Sequence, residues 1–294
     1  MKSILLTGAT GLVGSHFLAA HRDDFAIRTV SRRRPAEGTA PGMHTQVDLS
    51  EPWDAGVLPQ RIDAVIHLAQ SEHFREFPEH AVDVFAVNAT ATVRLLDYAR
   101  RAGARTFVLA SSGGVYAASD SDFTENARIS ARGDLGFYLG TRLCSEIVAQ
   151  SFAAYFNLIT LRFFFVYGPG QRPDMLIPRL IQYVRNGTAI TLQGKEGIRI
   201  TPTHVSDAVA AVRKSLELSG THTINVGGPE EFSIAEIASI IGRHVGRSPV
   251  FAVDHGAAPK DVTGDMTRMR ELLVPPVVRF EDGVQTMLRP GSGA

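Results

Sequence analysis

Gly8, Gly11 and Gly14 sit in the string TGATGLVG over residues 7–14, directly after the apolar Ile4, Leu5 and Leu6 and directly before an amphipathic stretch. A chain that leaves a buried strand, turns tightly and opens a helix there aims free backbone N–H groups at the space over the turn. A pyrophosphate fits those groups. Glycine is required because a Cβ would block either the turn or the approach of the phosphate. Without a ligand, the same spacing makes a structural strand-to-helix turn. A second string, YLGTR, sets Tyr138 and Arg142 four residues apart, hence on one face of a helix. That places a phenol beside a permanent cation able to stabilise a tyrosinate and to donate to hydroxyl groups.

The surrounding chain must position these groups. Its first half alternates short apolar runs with amphipathic stretches, the pattern of a parallel sheet covered on both faces. Strands are predicted at 3–7, 27–31, 64–68, 106–110 and 158–165, with helices at 13–21, 84–102 and 137–156. Val84, Val87, Ala91, Leu95, Leu96 and Ala99 recur at three- and four-residue spacing, one buried helical face, and Gly103 stands at its C-cap. After about Tyr167 the pattern changes. GPGQRP at 168–173 reads as a loop and helices are predicted at 176–186 and 233–245, the second opened by a Ser233/Glu236 capping box. From about Asp254 no periodicity is legible, and no internal repeat is present.

Thirty basic and thirty acidic residues cancel over 294 positions, and Arg32-Arg33-Arg34 is the longest basic run. This charge pattern suggests neither nucleic acid nor a membrane surface as partner. The single cysteine, Cys144, excludes an intramolecular disulfide framework and reads as a small buried side chain on a helix. No apolar run is long enough to span a bilayer and none resembles a signal peptide, so a cytosolic location is expected.

The G-x-x-G-x-x-G spacing resembles that of the extended short-chain dehydrogenase/reductases, the NAD(P)-dependent epimerase/dehydratase family. Other segments carry the likeness in order along the chain: HLAQ (67–70), VNATATVRLLDYAR (87–100), SSGGVY (111–116), YLGTR (138–142), LRFFFVYGPGQ (161–171), HVSDAV (204–209) and INVGGPEEFSIAEIA (224–238). The resemblance implies an α/β fold, a doubly wound parallel Rossmann sheet with a smaller, discontinuous C-terminal substrate domain. The dinucleotide-binding domain would comprise 1–166 plus about 198–227, the substrate domain about 167–197 plus 228–294. It also implies a homodimer built through a four-helix bundle.

By the same resemblance Tyr138 is the acid/base, Ser112 orients the substrate oxygen, and residue 142 is the lysine that binds the nicotinamide ribose and lowers the tyrosine pKa. Here that lysine is Arg142. Active hydride chemistry at a carbinol or ketone carbon of a sugar-like or other small carbonyl substrate is expected. The alternative is a cofactor-binding protein whose catalysis is lost or weakened. Leu12, Val13, Leu68, Ala69, Gln70, Asn88 and Phe164 would line the cofactor, and Asp48-Leu49 matches the pair that contacts adenine. The second predicted strand would end at Ser31-Arg32 with no acid present, a hydroxyl and a guanidinium fork suited to a 2′-phosphate, so NADP is expected with NAD as the alternative. The bland reading is a solvated basic loop.

Members acting on nucleotide-linked sugars typically carry an Asn at the position that is Phe165 here, and an aromatic cannot hydrogen-bond a diphosphate. Ser111, Phe165, Gln171, Arg179 and Arg199 are the candidate substrate residues, although Phe163–Phe165 also reads as plain core. His73, His80 and His204 show no metal-ligand spacing with a Cys or acid partner, and no metal is expected.

Overall fold

A computed structural model describes residues 1–35, 43–116, 122–129, 135–256 and 260–289. The elements run β1 (Ser3–Thr7), α1 (Leu12–His21), β2 (Ala26–Ser31), β3 (His44–Gln46), β4 (Ala64–His67), α2 (Ala81–Phe85), α3 (Ala91–Arg101), β5 (Thr106–Ser112), α4 (Gly136–Gln150) and β6 (Asn157–Phe163). There follow β7 (Val166–Tyr167), α5 (Leu176–Asn186), β8 (Ile190–Gln193), β9 (Arg199–Ile200), β10 (Thr203–His204), α6 (Val205–Ser215), β11 (Thr221–Val226), β12 (Phe232–Ser233), α7 (Ile234–Val245), β13 (Phe251–Asp254) and α8 (Phe280–Leu288).

Seven strands form one sheet in the order β11-β6-β5-β4-β1-β2-β3. The pairs β1–β2, β1–β4, β2–β3 and β4–β5 are all parallel. The chain starts in the middle and winds outward in both directions, which is the doubly wound fold expected. The crossover between β1 and β4 leaves a switch point at the carboxyl end of β1, where the glycine loop emerges.

The chain divides into two compact units, 1–117 with 128–162 and 209–224, and 118–127 with 163–208 and 225–294. By this division 198–208, and with it 118–127, 163–166 and 225–227, falls in the second unit. β10 explains the first of these, because it pairs with β7 at Thr203–Val166 and His204–Tyr167. In the first unit Leu5, Val30, Val65, Leu95, Leu96, Phe107, Leu109 and Leu158 make a closed core. In the second, α5 and α7 bury Ile177, Leu180, Ile181, Val184, Ile237 and Ile241 around Tyr167 and Phe280.

Two helix expectations are corrected. The helix predicted from 84 begins at Ala81 and is interrupted by a π-helical turn over Ala86–Thr90. α4 stops at Gln150, not at 156, and residues 151–155 continue as turns. The α7 cap is as read: Ser233 Oγ accepts from the Glu236 amide and Glu236 accepts from the Ser233 amide.

Candidate active site

Each glycine of the loop has its own constraint. Gly8 adopts φ +74°, and a Cβ there would lie 2.7 Å from the Ala69 amide nitrogen. At Gly14 a Cβ would stand 2.1 Å from the Gly8 carbonyl oxygen, so α1 packs directly on the turn that precedes it. Gly11 caps α1 in an extended conformation without any side-chain cap, and its Cβ would meet the same carbonyl at 3.3 Å. The amides of the first turn thus stay clear of side chains, the shape a pyrophosphate needs.

A buried polar chain ties this loop to the helices. The Thr7 hydroxyl lies 2.7 Å from His67 Nδ1, and His67 Nε2 lies 3.0 Å from Thr92 Oγ1. Thr92 spends its proton on the Asn88 carbonyl, and the Ala69 amide donates to Thr7 Oγ1. His67 therefore carries its proton on Nε2 and accepts from Thr7 at Nδ1. Complete burial, helped by the nearby Arg142 charge, lowers its pKa from 6.5 to about 3, so the ring is neutral at ordinary pH.

Asn88 sits inside the π-turn, a distortion that often marks functional sites. Its side chain accepts from the Ser71 amide and donates to Thr141 Oγ1 at 2.9 Å, while Thr141 donates to the Tyr138 carbonyl at 2.7 Å. Ser145 donates to the Asn88 and Thr141 carbonyls. These bonds hold α4 in register against the π-turn and so place Tyr138.

Tyr138 is half-buried, with its hydroxyl 2.8 Å from Gln70 Oε1 and its ring 5.0 Å from that of Phe74. Burial pushes its pKa up, while the Arg142 and Arg75 charges pull against that rise. Ser112 Oγ accepts only a 3.2 Å bond from the Gly114 amide among the contacts described, so its proton stays free to donate. Arg142 is 3% exposed and gives one bond, from Nη2 to the Ala110 carbonyl. Its Nε and Nη1 are buried without a hydrogen-bond partner. A nicotinamide dinucleotide fits these features: the glycine cradle would take the pyrophosphate, and Arg142 has donors left for ribose hydroxyls.

At the end of β2 both expected phosphate contacts have internal partners. Ser31 donates to the Arg33 carbonyl at 2.6 Å, and Arg32 pairs with Glu72 at 2.7 Å, which raises the arginine pKa. Asp48 accepts from the Ser50 amide and hydroxyl. Burial works against its charge, but those bonds prevail and its pKa is lowered. Leu49 is buried in the first unit's core, Leu12, Val13 and Leu68 are half-buried around the loop, and Gln70 is exposed.

The remaining candidates divide sharply. Ser111 donates to the buried carboxylate of Glu146 and so serves the core. Phe164 (1% exposed), Phe165, Gln171, Arg179 and Arg199 all belong to the second unit. Arg199 is paired to Glu236 at 3.2 Å and donates to the Glu231 carbonyl. Gln171 donates to the Val166 carbonyl, and Arg179 is exposed on α5. Phe165 holds φ +38°, a conformation that suits Asn far better than an aromatic.

One reading is corrected outright. His73 and His80 do share an acid partner: their ring nitrogens lie 3.0 and 3.1 Å from one oxygen of Glu76. The expectation of no ligand spacing with an acid fails at H-x-x-E-x-x-x-H over 73–80, where three- and four-residue steps bring both rings to Glu76.

The profile of the NAD dependent epimerase/dehydratase family matches residues 4–227. The chain belongs to that family. It is accordingly an enzyme of the nicotinamide-dependent epimerase/dehydratase type. Among its relatives, the uncharacterized UDP-glucose epimerase YtcB of Bacillus subtilis (strain 168) is 31% identical over 79% of this chain and 75% of its own length. The dTDP-4-dehydro-6-deoxy-D-allose reductase of Streptomyces bikiniensis is 27% identical over 92% and 90%. Among solved structures, MoeE5 in complex with UDP-glucuronic acid and NAD superposes with a TM-score of 0.84 at 29% identity, covering 97% of both chains. The MoeE5 chain thus shares this fold along nearly its whole length. Among the described residues no helix is long and apolar enough to cross a membrane.

Proposed function

We propose that the protein transfers hydride between a nicotinamide dinucleotide and a carbinol or ketone carbon of a sugar-like substrate, with Arg142 replacing the motif lysine as the ribose-binding cation. The observation that carries this reading is the Arg142 guanidinium, buried on the Tyr138 face of α4 with two nitrogens unpartnered. Bound, the dinucleotide would supply the hydride acceptor or donor. Tyr138 Oη would exchange the proton with the substrate oxygen, and Ser112 Oγ would donate to that oxygen and polarise it. Arg142 would favour the tyrosinate against the burial that opposes it.

NADP is the proposed cofactor, because three arginines and no acid follow β2. The Arg32–Glu72 pair and the NAD named in the MoeE5 complex favour NAD as the second reading. The names of the relatives support a nucleotide-linked sugar, whereas Phe165 and the paired Arg199 favour a substrate lacking that diphosphate contact. A homodimer is part of the proposal, supported by exposed Val82, Phe85, Val93 and Ile147 on α2, α3 and α4 of the first unit. Light scattering at the monomer mass would refute it. One cysteine supports a cytoplasmic setting.

The test is turnover on a sugar and nucleotide-sugar panel with Tyr138→Phe alongside wild type. A loss of about 10²–10⁴-fold with dinucleotide affinity unchanged is expected. Equal turnover in the two proteins would sink the assignment. An Arg142→Lys variant faster than wild type by tenfold or more would instead favour a protein with weakened catalysis.

A further inference from the structure

We infer that His73, Glu76 and His80 form a binding site for a divalent transition-metal ion of the zinc, cobalt or nickel type. Their three donor atoms lie within 4.8 Å of one another. The two imidazoles stack face to face with centroids 4.0 Å apart and planes 9° from parallel. That stacking sets His73 Nδ1 and His80 Nε2 side by side over Glu76 Oε2, at 3.0 and 3.1 Å. A tetrahedral ion with bonds of about 2.0–2.2 Å spaces its ligands roughly 3.3–3.6 Å apart, and to share one the two rings turn out of their parallel stack so that both in-plane lone pairs converge on it. Two imidazoles and one carboxylate suit a borderline ion and not magnesium or calcium, which prefer all-oxygen sets.

The backbone brings the three together before any ion arrives. The Glu76 amide bonds the His73 carbonyl and the His80 amide bonds the Glu76 carbonyl, both at 2.8 Å, so the three residues follow one continuous run of turns. Ser71 anchors the start of that run by bonding the His73 amide and Asp83. The side chains are 29%, 51% and 42% exposed, so an ion has access and water can complete its coordination. On its far side His73 Nε2 lies 3.8 Å from Glu72 Oε1, a charge neighbour beyond hydrogen-bond distance. Glu72 also holds Arg32, and Phe74 lies against Tyr138. An ion here would stiffen the loop that touches both ends of the candidate active site.

The experiment is calorimetric titration of Zn²⁺ into the untagged full-length protein, with Co²⁺ absorption as a second reading of the ligand set. One equivalent of Zn²⁺, visible d–d bands with Co²⁺ and no heat from Mg²⁺ are expected. His80→Ala and Glu76→Gln should each weaken Zn²⁺ at least about tenfold, since loss of outer partners alone costs 10–100-fold. Cys144→Ser should leave it unchanged. Zn²⁺ should raise the melting temperature of wild type and not of His80→Ala, while both proteins bind dinucleotide equally. Absence of Zn²⁺ binding, or binding that survives both variants, would overturn the assignment.

Discussion

Arg142 and Arg162 are buried alike in the first unit, at 3% and 4% exposure, yet their surroundings are opposites. Arg162 gives Glu146 a two-pronged pair at 3.0 and 2.6 Å and lies 4.7 Å over the ring of Tyr116. Burial works against its charge, but Glu146 more than compensates and its pKa is raised. Arg142 has a single carbonyl and two orphan nitrogens. A buried cation without a counter-ion costs several kcal/mol unless something else meets it. Arg162 thus has its charge neutralised within the core, whereas the Arg142 charge has no carboxylate beside it, which is what the proposed dinucleotide role requires. Two equally buried arginines differ because only one has its charge met by a carboxylate: Arg162 leaves one nitrogen, Nη1, without a partner, whereas Arg142 leaves two and has no counter-ion.

The largest effect that would break this contrast is on stability. Glu146→Gln leaves Arg162 buried without a counter-charge and should destabilise the fold by about 3–5 kcal/mol in chemical denaturation. Arg142→Met removes an under-partnered charge from the same unit and should leave the unliganded protein as stable as wild type or more so. Equal losses for the two variants would erase the distinction.

Next in size is a pH effect beside Arg142. Folded His67 takes up a proton only near pH 3, whereas in the unfolded chain it does so near 6.5. Between these values the unfolded state binds more protons, so stability rises with pH. This contribution is fully present above about 6.5 and is lost toward pH 3, by up to about 1.4 kcal/mol per pH unit. Denaturation curves from pH 7 to 4 should show that slope, and His67→Gln should flatten it. A wild-type curve with no loss below pH 6 would count against the neutral, buried His67.

The smallest effect sharpens the comparison from the second unit. Phe165 at φ +38° is a strained aromatic, and strain of this kind costs of order 1–3 kcal/mol. Phe165→Asn should raise stability by roughly 1 kcal/mol, net of lost packing. If the packing of Phe165 on its core matters more, the melting temperature will fall instead.

How legible all this was depended on whether the signal was local. β1 and the α7 cap were readable because an apolar run, three glycines and a Ser/Glu pair each state their geometry within eight residues. Tyr138 and Arg142 were readable for the same reason, through helical spacing. β8 and β13 escaped notice because they are four-residue strands, and the second is exposed throughout, so no alternation marks it. The π-turn at Asn88 was illegible because it arises from packing against α4 and leaves the hydrophobic period intact. The commitment of Ser111 to Glu146 depends on a residue 35 positions away, and the Arg32–Glu72 pair on one 40 away. Spacing along the chain carries neither.

The central claim is that the free donors of Arg142 are reserved for the dinucleotide, and calorimetry with NADPH and NADH on wild type, Arg142→Met and Arg142→Lys tests it directly. The account predicts at least tenfold weaker binding in Arg142→Met at unchanged or greater stability, with Arg142→Lys retaining part of the affinity. Wild-type affinity in Arg142→Met for both dinucleotides would contradict it.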